Sequence, residues 1–129
     1  MIVDTSALVA ILFEEPEGHL FDVAILNTDC RISSATYLEA AMVLQSRRGA
    51  DGVRALDFLI LRFGIEIVSF TESQARLART AFERYGRGRH AAKLNFGDCM
   101  AYALARETGE ELLFKGTDFA LTDIAVAPY

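Results

Sequence analysis

At 129 residues the chain is sized for one hydrophobic core, and a composition that is 52% hydrophobic with 2 prolines excludes a disordered polymer. No apolar run reaches the about 20 residues of a membrane-spanning helix, so such a span is excluded. A net charge of −5 weighs against a passive nucleic-acid coat, whose affinity comes from clustered Lys and Arg.

The chain opens on a short apolar run, Ile2 and Val3, which reads as a buried strand ending at Asp4. Thr5 and Ser6 are placed to cap a helix through Ser6 to Phe13. Glu14-Glu15-Pro16-Glu17 reads as the start of a second helix running to about Asn27, with proline and acids in its first turn. Arg31 and Ile32 are the expected second strand. Ser33-Ser34-Ala35-Thr36 begins a helix whose apolar stripe is read as Tyr37, Leu38, Met42 and Val43, with Gly49 as its end. From Asp51 to Phe63 the residues Val53, Leu56, Leu59, Ile60 and Phe63 recur at helical spacing, and Gly64 is placed as a C-cap. Ile65, Ile67 and Val68 form the expected third strand.

Thr71 to Tyr85 reads as another helix opened by a Thr71-to-Gln74 capping box, and Gly86-Arg87-Gly88-Arg89 breaks it. A strongly apolar helix is expected from Asp98 to Thr108, closed by Gly109. Leu112 to Phe114 form a fourth strand and Ile124 to Val126 a short fifth. Strands separated by helices require crossovers, so the expected fold is a three-layer α/β/α sandwich around a mainly parallel sheet of four to five strands. No linker or repeat divides residues 1–129, which are expected to form a single domain. The opening Met1 to Phe13 contains Asp4, lacks a basic start and is followed by acids, unlike a secretory signal, so the cytoplasm is the expected location. Cys30 and Cys99 lack metal-ligand spacing and read as core residues.

With 18 acidic residues, position has to identify the chemical ones. Asp4 follows a buried strand, Glu39 sits in LEAAMVL and Asp98 opens DCMAYALA. A carboxylate in apolar surroundings must be paired, hydrogen-bonded or metal-bound, or it neutralises. Each also has an ordinary alternative. Asp4 and Asp98 suit N-caps, and Glu39 suits a capping box with Thr36. In an open parallel sheet the loops beyond the strand ends meet in a crevice, which Asp4 and Asp118 reach from strands one and four. Capping is compatible with ligation, because a carboxylate has two oxygens. A ring of carboxylates suits Mg²⁺, with Mn²⁺ as a substitute, and such a site serves phosphodiester hydrolysis.

The segments MIVDTSALVAIL, SSATYLEAAMVL, LNFGDCMAYALARETGEELLFKGTDF and the following TDI together resemble the VapC-type toxins among PIN-domain ribonucleases, in the right order and over essentially the whole chain. The resemblance implies an acidic quartet of Asp4, Glu39, Asp98 and Asp118 around one or two Mg²⁺ ions, with Asp4 and Asp98 as metal ligands. It gives Ser6 and Asn95 supporting positions. It also implies an RNA substrate, a homodimer and a cognate VapB-like antitoxin whose tail enters the active groove. Where relatives often read KGDDF, this chain has Lys115-Gly116-Thr117-Asp118-Phe119 with one acid, so the fourth ligand is placed at Asp118, with Asp123 as the fallback.

The stretch from Arg84 to Lys93 carries Arg84, Arg87, Arg89 and Lys93 and no acid, so it is either an RNA-phosphate contact or a solvated loop. Tyr85 and Phe96 are candidates for base stacking, and Arg47 and Arg48 are weaker candidates for phosphate. His19 and His90 give no pair for a histidine mechanism. Lys115 is expected to meet a site carboxylate, RNA or solvent. Leu12, Phe13, Leu20, Phe21, Ile25, Leu59 and Phe63 cannot all face one sheet, so part of this apolar surface is expected at an interface. Two other readings stay open: a phosphatase with Asp4 as nucleophile and Lys115 as its charge partner, and a non-cleaving binding module.

Overall fold

The computed structural model describes residues 1–129. Four strands, β1 (Ile2–Val3), β2 (Arg31–Ser33), β3 (Glu66–Val68) and β4 (Leu112–Leu113), form a sheet of order β3-β2-β1-β4. Every pairing is parallel. The expected fifth strand shrinks to one bridge, Leu112 to Val126. The helices are α1 (Thr5–Leu12), α2 (Gly18–Leu26), α3 (Ser34–Phe63), α4 (Glu72–Tyr85) and α5 (Phe96–Thr108).

Strand alternation divides the core in two. Ile2 and Leu112 point to one face, where Ala78 and Ala81 of α4 and Ala101, Leu104 and Ala105 of α5 cover them. Val3 and Leu113 point to the other, under Leu8 of α1, Phe21 and Ile25 of α2, and Leu44, Leu56 and Leu59 of α3. The result is the expected α/β/α sandwich, and Cys30 and Cys99 are buried free thiols within it.

Several boundaries differ for identifiable reasons. Asp4 caps α1, so that helix starts at Thr5. Residues 14–17 form a turn and α2 begins at Gly18, because Glu14 adopts a positive φ of 53° and Glu14 and Glu15 donate backward to close α1. Ser33 caps α3, which places Thr36 inside the helix and rules out its capping box with Glu39. The buried stripe of α3 is Thr36, Ala40 and Leu44; of the expected stripe, Leu38 and Met42 are 58% and 62% exposed, whereas Tyr37 packs partly buried against the core. Thr71 caps α4 by accepting from Gln74 N, but the Gln74 side chain turns to Glu107 and Ser69, leaving the box half formed. Asn95 is the cap of α5, which therefore opens at Phe96.

Gly49 is where the two segments of α3 meet, at φ 61° and ψ −152°, a conformation nearly confined to glycine. Gly49→Ala has open space for its methyl group but the wrong backbone preference. The expected outcome is a loss of about 1–3 kcal/mol, read as a lower urea midpoint with an unchanged m-value.

Candidate active site

The strand order reverses direction between β1 and β4, since β1, β2 and β3 step one way and the chain then crosses back to the far side of β1. That reversal opens a crevice at the carboxyl ends of these two strands. Asp4 leaves β1 there, its backbone N–H donating to Leu113 O across 2.9 Å. Its side chain is buried, and Oδ2 accepts from Ser6 N at 2.9 Å and Ser6 Oγ at 2.6 Å. Ser6 Oγ in turn accepts from Lys115 N at 3.0 Å, which ties the loop after β4 to the start of α1.

Glu39 approaches from α3. Its Oε2 accepts from Thr5 Oγ1 at 2.5 Å, and its carboxyl group rests against the Cα of Gly97 in the first turn of α5. Asp98 lies one residue further along α5 in a complete capping box: Asn95 Oδ1 accepts from Asp98 N at 3.0 Å, and Asp98 Oδ2 accepts from Asn95 N at 2.8 Å. Asp118 precedes the single-turn helix Phe119–Leu121 and is exposed, with no capping hydrogen bond from its side chain.

These carboxylates sense one another. Burial raises the pKa of Asp4, the Ser6 hydrogen bonds oppose the rise, and the charge of Glu39 adds to it. Asp98 is pushed up to about 6, first by burial and then by the charges of Asp4 and Asp118, with the Asn95 N–H and Arg87 pulling the other way. The four sequence-predicted acids are thus linked pairwise, Glu39 to Asp4 and both Asp4 and Asp118 to Asp98. No three of them are already drawn into a ligand cluster. An oxygen-only set of carboxylates short of positive charge suits a hard divalent cation that keeps most of its waters.

Other expected residues sit elsewhere. Lys115 Nζ binds Glu15 at 2.6 Å and lies 3.4 Å from Glu17, away from the acidic quartet. That engagement removes the charge partner required by the phosphatase reading. Asp123 accepts from Tyr102 Oη at 2.7 Å and faces Arg84 and Arg106, each at 3.8 Å. Burial pulls its pKa up, but the hydroxyl and the two guanidiniums hold it below the usual range, so Asp123 already has structural partners. Arg84 is therefore drawn to Asp123 and lies over Tyr85, while Arg87, Arg89 and Lys93 line an open concavity with Gly88, His90 and Ala91. Arg47 and Arg48 both lie over Phe13, and Arg48 also donates to Leu12 O. Tyr85 packs against His90 and Tyr102, leaving Phe96, 81% exposed, as the free aromatic. Thr5 is the contact that sequence reasoning missed. The available signal was a second hydroxyl residue beside the strand-end acid.

A family profile for the PIN domain matches residues 1–125. The chain is 50% identical over 126 residues to Ribonuclease VapC of Mycolicibacterium smegmatis, covering 97% of this chain and 98% of that protein. It is 48% identical over 126 residues to Ribonuclease VapC30 of Mycobacterium tuberculosis, covering 97% and 96%. Among solved structures, the sarcin-ricin loop cleaving toxin VapC20 of Mycobacterium tuberculosis superposes with a TM-score of 0.80 at 16% identity, covering 98% of this chain and 97% of that one. The DNA-bound VapBC of Salmonella typhimurium gives 0.75 at 20% identity, covering 98% and 95%. With the fold, the crevice and the near-complete alignment in agreement, the chain belongs to the PIN-domain family, in its VapC ribonuclease branch.

Proposed function

We propose that this chain is a metal-dependent endoribonuclease, the toxin of a type II toxin-antitoxin pair, formed by residues 1–129 as one catalytic domain and acting in the cytoplasm. The observation that carries the proposal is that three elements bring their acids together where the sheet order reverses: Asp4 ends β1, Glu39 of α3 is hydrogen-bonded to Thr5 beside it and lies against Gly97, and Asp98 follows Gly97 on α5. Relatives named as VapC ribonucleases over nearly the whole length support the activity. No helix is long and apolar enough to cross a membrane.

Asp4 and Asp98 are the proposed metal ligands, with Glu39 and Asp118 completing the acidic ring, and Mg²⁺ is the proposed ion with Mn²⁺ able to replace it. Held by these carboxylates, such an ion would supply Lewis-acid polarisation of a phosphodiester and a lowered pKa for an attacking water. Ser6 fixes Asp4 by hydrogen bonding, and Asn95 fixes Asp98 through the capping box. Arg87, Arg89 and Lys93 are positioned to hold RNA phosphates, with Phe96 beside Asp98 for a base to stack on. Arg84 takes a secondary part, because Asp123 already attracts it.

A homodimer and a VapB-like antitoxin are the proposed protein partners. The apolar residues left for such contacts include Leu38, Met42, Phe58 and Leu61, the last 81% exposed. Phe21, Ile25 and Leu59, which hydropathy alone offers to an interface, are core. Solved VapBC complexes share the fold and supply the precedent for a partner of this kind.

Asp4→Asn, Glu39→Gln and Asp98→Asn should each lower cleavage of an RNA substrate by about 100-fold or more while far-UV dichroism is retained. Chelator should abolish wild-type cleavage, and Mg²⁺ or Mn²⁺ should restore it. Full activity in chelator, or acyl-phosphate trapping at Asp4, would favour other chemistry.

The raised pKa of Asp98 gives a second test. The folded state holds this proton up to a pH of about 6, whereas the unfolded chain releases it near the ordinary carboxylate value. The contribution of Asp98 to stability therefore falls as pH rises through that window. Metal-free Asp98→Asn should melt a few degrees above metal-free wild type at pH 7, and the difference should vanish at pH 4. Metal binding and cleavage should weaken as pH drops below about 6, where Asp98 retains its proton.

Arg87→Ala and Arg89→Ala should raise KM for RNA with kcat largely kept. Each should reduce the slope of log affinity against log salt by about 1, as expected for one lost phosphate contact. Unchanged slopes would assign the segment to a solvated loop.

A further inference from the structure

Gly97 occupies the first turn of α5, and its φ is not among the positive values found at five other glycines. Its backbone is therefore one that alanine adopts readily, and alanine is the better helix former by about 1 kcal/mol. The need for glycine lies in the space beside it. A Cβ there would overlap Oε1, Cδ and Oε2 of Glu39 at once, so the carboxyl group lies where a side chain would have been. A second contact acts on the same group. Thr5, 9% exposed, donates from Oγ1 to Glu39 Oε2 at 2.5 Å, and Thr5 is the residue that follows Asp4.

These contacts answer an electrostatic problem. The charge of Glu39 raises the pKa of the buried Asp4, so the two carboxylates repel and Glu39 would relax outward along α3 if nothing detained it. The missing side chain at residue 97 lets it enter, and the Thr5 hydroxyl holds it once there. The positive end of the α5 dipole favours the charge at that place.

We propose that Gly97 and Thr5 are positioning residues that act through Glu39, setting its carboxylate beside Asp4 in the geometry that cation binding and cleavage require. The proposal rests on the reading of Glu39 as part of the active site. It goes beyond that reading in assigning work to two residues that carry no charge.

The test uses the full chain with two readouts: steady-state cleavage of an RNA oligonucleotide, and Mn²⁺ binding by titration calorimetry without RNA. Gly97→Ala and Thr5→Val should each lower kcat about 100-fold with KM for RNA nearly unchanged, as expected when a reacting geometry is displaced by about 1 Å. Mn²⁺ affinity should weaken in parallel, and Thr5→Ser, which keeps the hydroxyl, should restore both readouts. Glu39→Asp withdraws the carboxyl group by one methylene, so adding Gly97→Ala to that variant should change Mn²⁺ affinity little, the non-additivity expected of residues acting through a shared group. The proposal is overturned if folded Gly97→Ala matches wild type in kcat and Mn²⁺ affinity, or if its effect is as large in the Glu39→Asp background as in the wild-type one. Should Gly97→Ala fail to fold by thermal melting, the hydroxyl pair decides: Thr5→Val at wild-type level overturns it, and a Thr5→Val defect absent from Thr5→Ser supports it. Glu39→Gln at wild-type activity would sink the active-site reading itself. An inactive Glu39→Gln alongside fully active Gly97→Ala and Thr5→Val would sink the positioning claim alone.

Discussion

Mutual repulsion among carboxylates held at one edge of a parallel sheet is the constraint to which the rest of the structure answers. Asp4 is buried at the end of β1, Glu39 presses on it electrostatically, and Asp98 feels both Asp4 and Asp118. Left free, these groups would separate into solvent, where each charge is better hydrated. They are detained because the elements carrying them have no freedom to part. Ile2 and Val3 are sealed on opposite faces by the two core clusters, and the residues of α5 from Cys99 to Ala105 are buried without interruption. The hydrophobic energy of two helical layers thus opposes the electrostatic cost of the crevice.

The acids are also restrained one rotamer at a time. Asp4 commits Oδ2 to the first turn of α1 and Asp98 commits Oδ2 to Asn95, and in each carboxylate the other oxygen is left out of the capping contacts. A cap therefore orients a carboxylate without exhausting it. Ser6 extends the arrangement by joining Asp4 to the backbone of Lys115, so the loop carrying Asp118 is hung from the same junction that carries the first acid.

The parts of this arrangement that are local in sequence are legible there. The strands at Ile2, Arg31, Ile67 and Leu112, the glycine break at Gly49 and the acids embedded in apolar runs all follow from short-range pattern. What escapes is set by three-dimensional packing. The α3 stripe is misread because Leu38 and Met42 look like core by hydropathy, whereas the small residues Thr36 and Ala40 are the ones that fit under the sheet. Glu39 looks like the partner of Thr36, but Ser33 takes the capping position, and its real partner, Thr5, lies 34 residues away in sequence. Gly97 is visible only as a residue before an acid. Its significance depends on which side chain arrives from another helix, and one-dimensional pattern carries no record of that.

Charge matching misleads for a related reason. Cations close to the acids in sequence or chemistry are already committed: Lys115 to Glu15 and Glu17, Arg84 and Arg106 to Asp123, Arg47 and Arg48 to Phe13. The field of Arg87 acts on Asp98, and the pKa of that carboxyl stays raised in spite of it. A chain with 13 basic residues thus leaves its most crowded carboxylates under-neutralised, while satisfying acids such as Asp123. In a structure optimised for stability alone, the pairing would run the other way. Such a deficit of positive charge at the crevice favours a cation supplied from outside the fold.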